Sequence, residues 1–217
     1  MASLWSAVKP DGACAWFVRR GALHFLMPYS AYHLLTLPAA HTAALLGVAE
    51  GRLYDSAIEV QEVGAGALAS ALAPLPMPTQ ARVGEKYLSA LAAAKLPKRL
   101  PAPTTDPASE GGAKEAEAYK AYKAKLALAV RRRLGACLAL GAVIKAHPFD
   151  VPSHLPPALA ALARAANEAA PVGPAVQKVI ADFRLTHQDS WASHKEAFAE
   201  DQLADLSAVG SGASYFA

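Results

Sequence analysis

Apolar residues recur along most of the chain at spacings of three and four, the period of an amphipathic helix, and no strand pattern interrupts them. Trp16, Phe17, Arg20, Leu23, His24 and Met27 keep this spacing up to Pro28, and a second run continues through Tyr32 to Leu37. Thr42 to Val48 predicts one or two further apolar turns. Asp55 or Ser56 can cap a helix carrying Ile58, Val60, Val63, Ala67, Leu68 and Leu72 on its inner side, stopped by Pro74, Pro76 and Pro78. Thr79 opens another, with Val83, Tyr87, Leu88 and Leu91 on one face. The stretch from Pro97 to Gly112 is rich in proline, ends in two glycines and has no apolar period, which predicts a flexible connection. From Ala113 the helical signal resumes, turning apolar through Leu126, Val130, Leu134, Cys137, Leu140 and Ile144, until His147-Pro148-Phe149-Asp150-Val151-Pro152 stops it. Ser153 caps the next helix, with Pro156 and Pro157 in its first turn, where a missing N–H costs little. Pro174 opens a helix bearing Val176, Val179, Ile180 and Phe183. Asp189 or Ser190 caps the last, whose stripe is Trp191, Lys195, Phe198, Gln202 and Leu206.

Helix, short Pro/Asp turn, helix, repeated, predicts an all-α fold: a HEAT/armadillo-like α-solenoid of antiparallel helix pairs, with a four-helix bundle as the alternative. Val60-Gln61-Glu62-Val63 and Val176-Gln177-Lys178-Val179 sit at similar places in second helices, an internal echo of the kind repeats leave. The expected organisation is helical repeats over residues 1–96, a flexible insertion over 97–112, C-terminal repeats over 113–206 and a flexible tail over 207–217. Composition agrees: 53% of residues are hydrophobic but only 7% aromatic, and alanine is the commonest, which suits close helix packing. A net charge of +3 makes neither nucleic acid nor an anionic membrane the default partner. Two cysteines cannot build a disulfide framework, which points to a reducing compartment, and no long uncharged apolar run offers a spanning helix.

Candidate chemistry is sparse. Gly64-Ala65-Gly66-Ala67-Leu68-Ala69 fits a loose dinucleotide pattern, but it lies inside a helical run rather than after a strand, so close packing is the better reading. Gly210-Ser211-Gly212 lacks the spacing of a nucleophile elbow. Cys137 reads as a small buried hydrophobe. His187 and His194 could share a face, yet no third ligand is near, so no metal and no cofactor is expected. Arg131, Arg132 and Arg133 form the strongest basic patch, able to meet phosphates or an acidic protein. Nothing assembles nucleophile, base and oxyanion donors, so the chain is not expected to be an enzyme.

The last residues stand apart. After small residues from Ser207 to Ser214 come Tyr215, Phe216 and Ala217: two rings on a tether, suited to filling a partner's apolar pocket while an α-carboxylate meets a cation. Asp182-Phe183-Arg184-Leu185-Thr186-His187-Gln188-Asp189-Ser190-Trp191, then His194-Lys195, Phe198 and Glu200-Asp201-Gln202-Leu203, together with the run Leu138 to Pro156 and the aromatic-aromatic-Ala end, resemble the C-terminal region of the proteasome activator complex subunit 4 family, large HEAT-repeat proteins. The resemblance spans Val130 to Ala217 and implies a non-enzymatic role in nucleus and cytoplasm. Such a protein caps the outer ring of the proteasome core particle, its last residues enter a pocket between ring subunits, and substrates pass without ubiquitin or ATP. Carried over, Tyr215 takes the hydrophobic position, Phe216 stands where the family has tyrosine, and Ala217 supplies the carboxylate. The family is also credited with binding acetylated histones through an Asn-Phe pair, whereas the one asparagine here, Asn167, is followed by Glu168. The alternative reading is a generic helical-repeat scaffold or adaptor with an inert tail.

Overall fold

The computed structural model describes residues 14–33, 36–103 and 110–209. Their helices are α1 (Trp16–Tyr32), α2 (Ala39–Arg52), α3 (Ile58–Leu72), α4 (Met77–Ala93), α5 (Glu110–Lys145), α6 (Leu155–Ala165), α7 (Val172–His187), α8 (Trp191–His194), a 3-10 turn (Lys195–Ala197) and α9 (Glu200–Ala208). Helix pairs α2–α3, α4–α5 and α6–α7 stack, with α3 on α5, α5 on α7 and α4 on α6. One layer runs α1, α3, α5, α7, and the other packs α4 on α6 and α6 on α9. This is the all-α solenoid that the helical period predicts.

Several boundaries differ from the sequence reading. α1 continues through Pro28 to Tyr32 as one helix, and Ser30 Oγ donates to the Met27 carbonyl at 2.8 Å. Around Thr42–Val48 the helix extends from Ala39 to Arg52, because alanines with weak hydrophobic contrast still favour helix. α5 opens at Glu110 rather than Ala113, so the end of the proline-rich connection is helical. The final predicted helix is broken: Phe198 is extended (φ −101, ψ 143), and the Ala199 amide donates to Gln202 Oε1 at 3.0 Å to start α9 afresh.

The core centres on α5. Every residue from Leu134 to Ile144 is buried, around the whole circumference, because α3 and α4 lie on one side and α6 and α7 on the other. Two glycines make room. A Cβ at Gly135 would collide with the Leu53 carbonyl oxygen and come within 3.0 Å of the Tyr54 ring, and one at Gly141 would lie 2.7 Å from Val179.

Short turns are braced by side-chain amides, two of them buried. A helix leaves its last carbonyls unpaired. Gln61 Nε2 donates to the Leu53 carbonyl at 2.5 Å, closing the end of α2, and Gln80 Nε2 donates to those of Leu72 (3.0 Å) and Leu75 (2.9 Å), closing α3. Gln177 Nε2 does the same at Ala166 after α6, at 2.9 Å. The α2–α3 turn is further tied by Asp55, which accepts from Arg19 of α1 at 2.7 and 2.9 Å, from Arg52 at 2.9 Å and from the Ala57 amide at 3.0 Å. The side chains of Arg52 and Asp55 are 2% and 3% exposed.

Burial alone would raise the Asp55 carboxyl, but the Arg19 guanidinium, the Ala57 amide and Arg52 outweigh it and hold the group below the usual carboxylate range. The folded state therefore binds the proton less readily than the unfolded chain. The stabilisation is complete above the unfolded value of about 3.9 and is lost as pH falls through the folded one. Asp55→Asn, which leaves two cations facing a neutral amide, is expected to cost about 3–5 kcal/mol in urea denaturation at pH 7, with a smaller loss at pH 3. Gly135→Ala should destabilise by about 1–3 kcal/mol despite alanine's better propensity, whereas Gly21→Ala, with nothing within 4 Å of the added atom, should stabilise by up to about 1 kcal/mol.

Candidate functional site

The C-terminal block is built to hold its last helix in one place. α7 buries Val172, Val176, Val179, Ile180 and Phe183 against the core, which leaves Arg184 and Leu185 on its outer side. α9 lies on α6, anchored by Leu206 and by Arg164, whose Nη1 donates to Asp205 Oδ2 at 2.5 Å. Arg184 Nη2 donates to the Leu206 carbonyl at 2.6 Å, a cation where a helix C-terminus carries partial negative charge. Val209, the last described residue, is buried, and its amide donates to Leu206 O at 3.2 Å. The three predicted docking residues, Tyr215, Phe216 and Ala217, lie outside the described residues.

Beneath α9 sits an aromatic and histidine stack that sequence reading only half saw. His187 stacks on Phe183 with ring centroids 4.2 Å apart and lies 5.2 Å from His194, while Trp191 meets Phe198 at 5.6 Å. His187 and His194 are thus neighbours, as their spacing suggested. His187 Nδ1 donates to the Phe183 carbonyl at 3.0 Å, which fixes the ring as packing. Among the described residues no group of three metal-ligating side chains forms. Trp191, Leu203 and Leu206 share with this stack a cavity of about 430 Å³. A second imidazole pair, His147 and His154, went unread: its rings are 5.1 Å apart, at the two ends of the Pro-Phe-Asp-Val-Pro turn. Burial, then the neighbouring His147, pushes His154 below the ordinary imidazole value, with Asp150 opposing. The seven-residue spacing was the available signal. At the centre of the turn Phe149 is 85% exposed.

The arginine run divides. Arg133 faces inward: it holds Glu168 through Nε and Nη2, both at 2.5 Å, and its Nη1 donates to the carbonyls of Leu91 (3.3 Å) and Ala94 (2.9 Å), closing α4. Arg131 and Arg132 line an open cavity of about 550 Å³ with Tyr54 and Lys95. The two cysteines remain free, and burial pushes the Cys137 thiol up to about 12, an inert core side chain at neutral pH. Gly64 and Gly66 are packing sites inside α3, where an added Cβ would lie 3.0 Å from Arg52 Cβ and 2.9 Å from Met27 Sδ respectively, with no phosphate-binding turn.

Known proteins share this block. Residues 130–217 match the family described as Proteasome activator complex subunit 4-like, C-terminal. Proteasome activator subunit 4 of Arabidopsis thaliana is 46% identical over 83 residues, 38% of this chain and 5% of that protein. Proteasome activator complex subunit 4 of Homo sapiens is 33% identical over 165 residues, 76% of this chain and 8% of that one. Subunit 4B of Danio rerio is 26% identical over 208 residues, 95% of this chain and 11% of its relative. The chain therefore spans about a tenth or less of the length of these relatives. Over residues 130–217 the chain thus matches the C-terminal region of the proteasome activator complex subunit 4 family.

Proposed function

We propose that this chain is the core-docking end of a non-enzymatic proteasome activator acting in nucleus and cytoplasm. Tyr215 and Phe216 enter an apolar pocket of the core particle's outer ring, and Ala217 presents an α-carboxylate to a cation there. Docking of this kind admits protein substrates without ubiquitin or ATP. The observation that carries the reading is the family match, which runs through the docking residues to position 217. The held end of α9 supports it, because Arg184 and Arg164 give residues 210–217 a defined origin. Acetylated histones form no part of the reading, since no Asn-Phe pair is present.

Energetics bound the affinity. Two rings burying about 200 Å² each contribute roughly 5 kcal/mol apiece, against an association cost of roughly 4–15 kcal/mol. Binding of this chain to purified core particles, followed by surface plasmon resonance, is expected to be micromolar or weaker and to vanish, with peptidase stimulation, on deletion of residues 215–217. Unchanged stimulation after the deletion would make the chain a scaffold with an inert tail. Phe216→Tyr restores a hydroxyl, and one regained hydrogen bond of about 1 kcal/mol should tighten binding about fivefold and raise peptide hydrolysis.

A further inference from the structure

The cavity beside the arginine run combines an apolar floor with a cationic rim. Its floor is apolar: Ala93 at the end of α4, Leu128 of α5, 44% exposed, and the ring of Tyr54, 38% exposed. Its rim is cationic: Lys95, Arg131 and Arg132. None of these three side chains has an ion-pair partner among the described residues, and Lys98 and Arg99 follow nearby on an exposed, non-helical segment.

Two acids on adjoining elements are already committed. Glu50 accepts from Lys86 at 2.7 Å and from the Tyr87 hydroxyl at 3.1 Å, and Glu168 is held by Arg133. Arg133 also occupies the terminal carbonyls of α4, so their partial negative charge is answered from within the fold. The cavity is thus left with a positive rim around a non-polar floor.

We infer that this groove, framed by Tyr54, Lys95, Leu128, Arg131 and Arg132, docks an acidic peptide segment of a partner protein: an apolar side chain on the floor, flanking carboxylates on the three cations. Charge complementarity selects the carboxylates, and the alanine and leucine floor selects a peptide over a bare polyanion, which would leave that surface wet. The guanidinium forks of Arg131 and Arg132 suit carboxylate recognition. The inference is independent of the tail, which begins at the other end of the C-terminal block.

The probe is a fluorescein-labelled peptide of sequence Glu-Asp-Leu-Phe-Glu-Asp, titrated with the full chain in 0.1 M salt by fluorescence anisotropy. Saturable binding is expected, weakened about tenfold, equivalent to ~1.4 kcal/mol, in the Arg131→Glu/Arg132→Glu double variant and to a similar degree in Leu128→Asp. Arg133 is left intact because it closes α4, and each variant is compared at unchanged circular dichroism and Tm. Lys95→Glu, outside the helices, should weaken binding in the same direction and keeps the test open should a helical variant misfold. The proposal is overturned by absence of saturation, by unaltered affinity in the charge-reversed variants, by equal binding of a peptide in which Leu-Phe is replaced by Gly-Gly, or by tighter binding of a twelve-nucleotide oligothymidylate.

Discussion

One constraint organises this molecule: the segment of α5 from Leu134 to Ile144 has to be touched on every side at once. A helix in that position can carry no polar face, and wherever another backbone crosses closely it can carry no side chain at all. Gly135 meets the α2–α3 turn and Gly141 meets α7, from opposite halves of the solenoid. The halves therefore share a core rather than abutting as separate units. The residues on either side of α5 gain their burial from one another's presence.

The turns between paired helices solve a second problem, the unpaired carbonyls at each helix end, by one recurring device. A glutamine in the following helix reaches back to the end of the preceding one, within a pair at Gln61 and Gln177 and between pairs at Gln80. Side-chain amides do this without charge, so they can sit in the core without the desolvation cost of an ion. Arg133 performs the same task at the end of α4, where its guanidinium can be matched by Glu168.

Much of this was legible in the residues. The apolar period locates the helices, and the Val-Gln-x-Val echo, legible only as a sign of repetition, falls on two of the three glutamine braces. Alanine-rich stretches lack contrast between faces, so the extent of α2 was not readable from Thr42 to Val48. The stripe from Trp191 to Leu206 keeps helical spacing across a break at Phe198, because packing demands of a folded-back segment mimic those of a continuous helix. The arginine triplet held its own clue: successive helical residues point about 100° apart, so three in a row cannot share one face. The two imidazole pairs show in the sequence only as a seven-residue spacing, because ring contact depends on how turns and helices pack, and the proposed docking residues at 215–217 lie outside the described residues.

The ion pairs at the α2–α3 turn and at α9 differ in shelter, and that difference has a consequence in solution. Arg52 and Asp55 are almost wholly withdrawn from water, whereas Arg164, which clasps α9, is 61% exposed. Dissolved salt screens accessible charges and hardly reaches enclosed ones. Rising ionic strength thus slackens the clasp that steadies the C-terminal helix while the α2–α3 turn keeps its grip, and two parts of a single fold respond to the same electrolyte as though they were dissolved in different media.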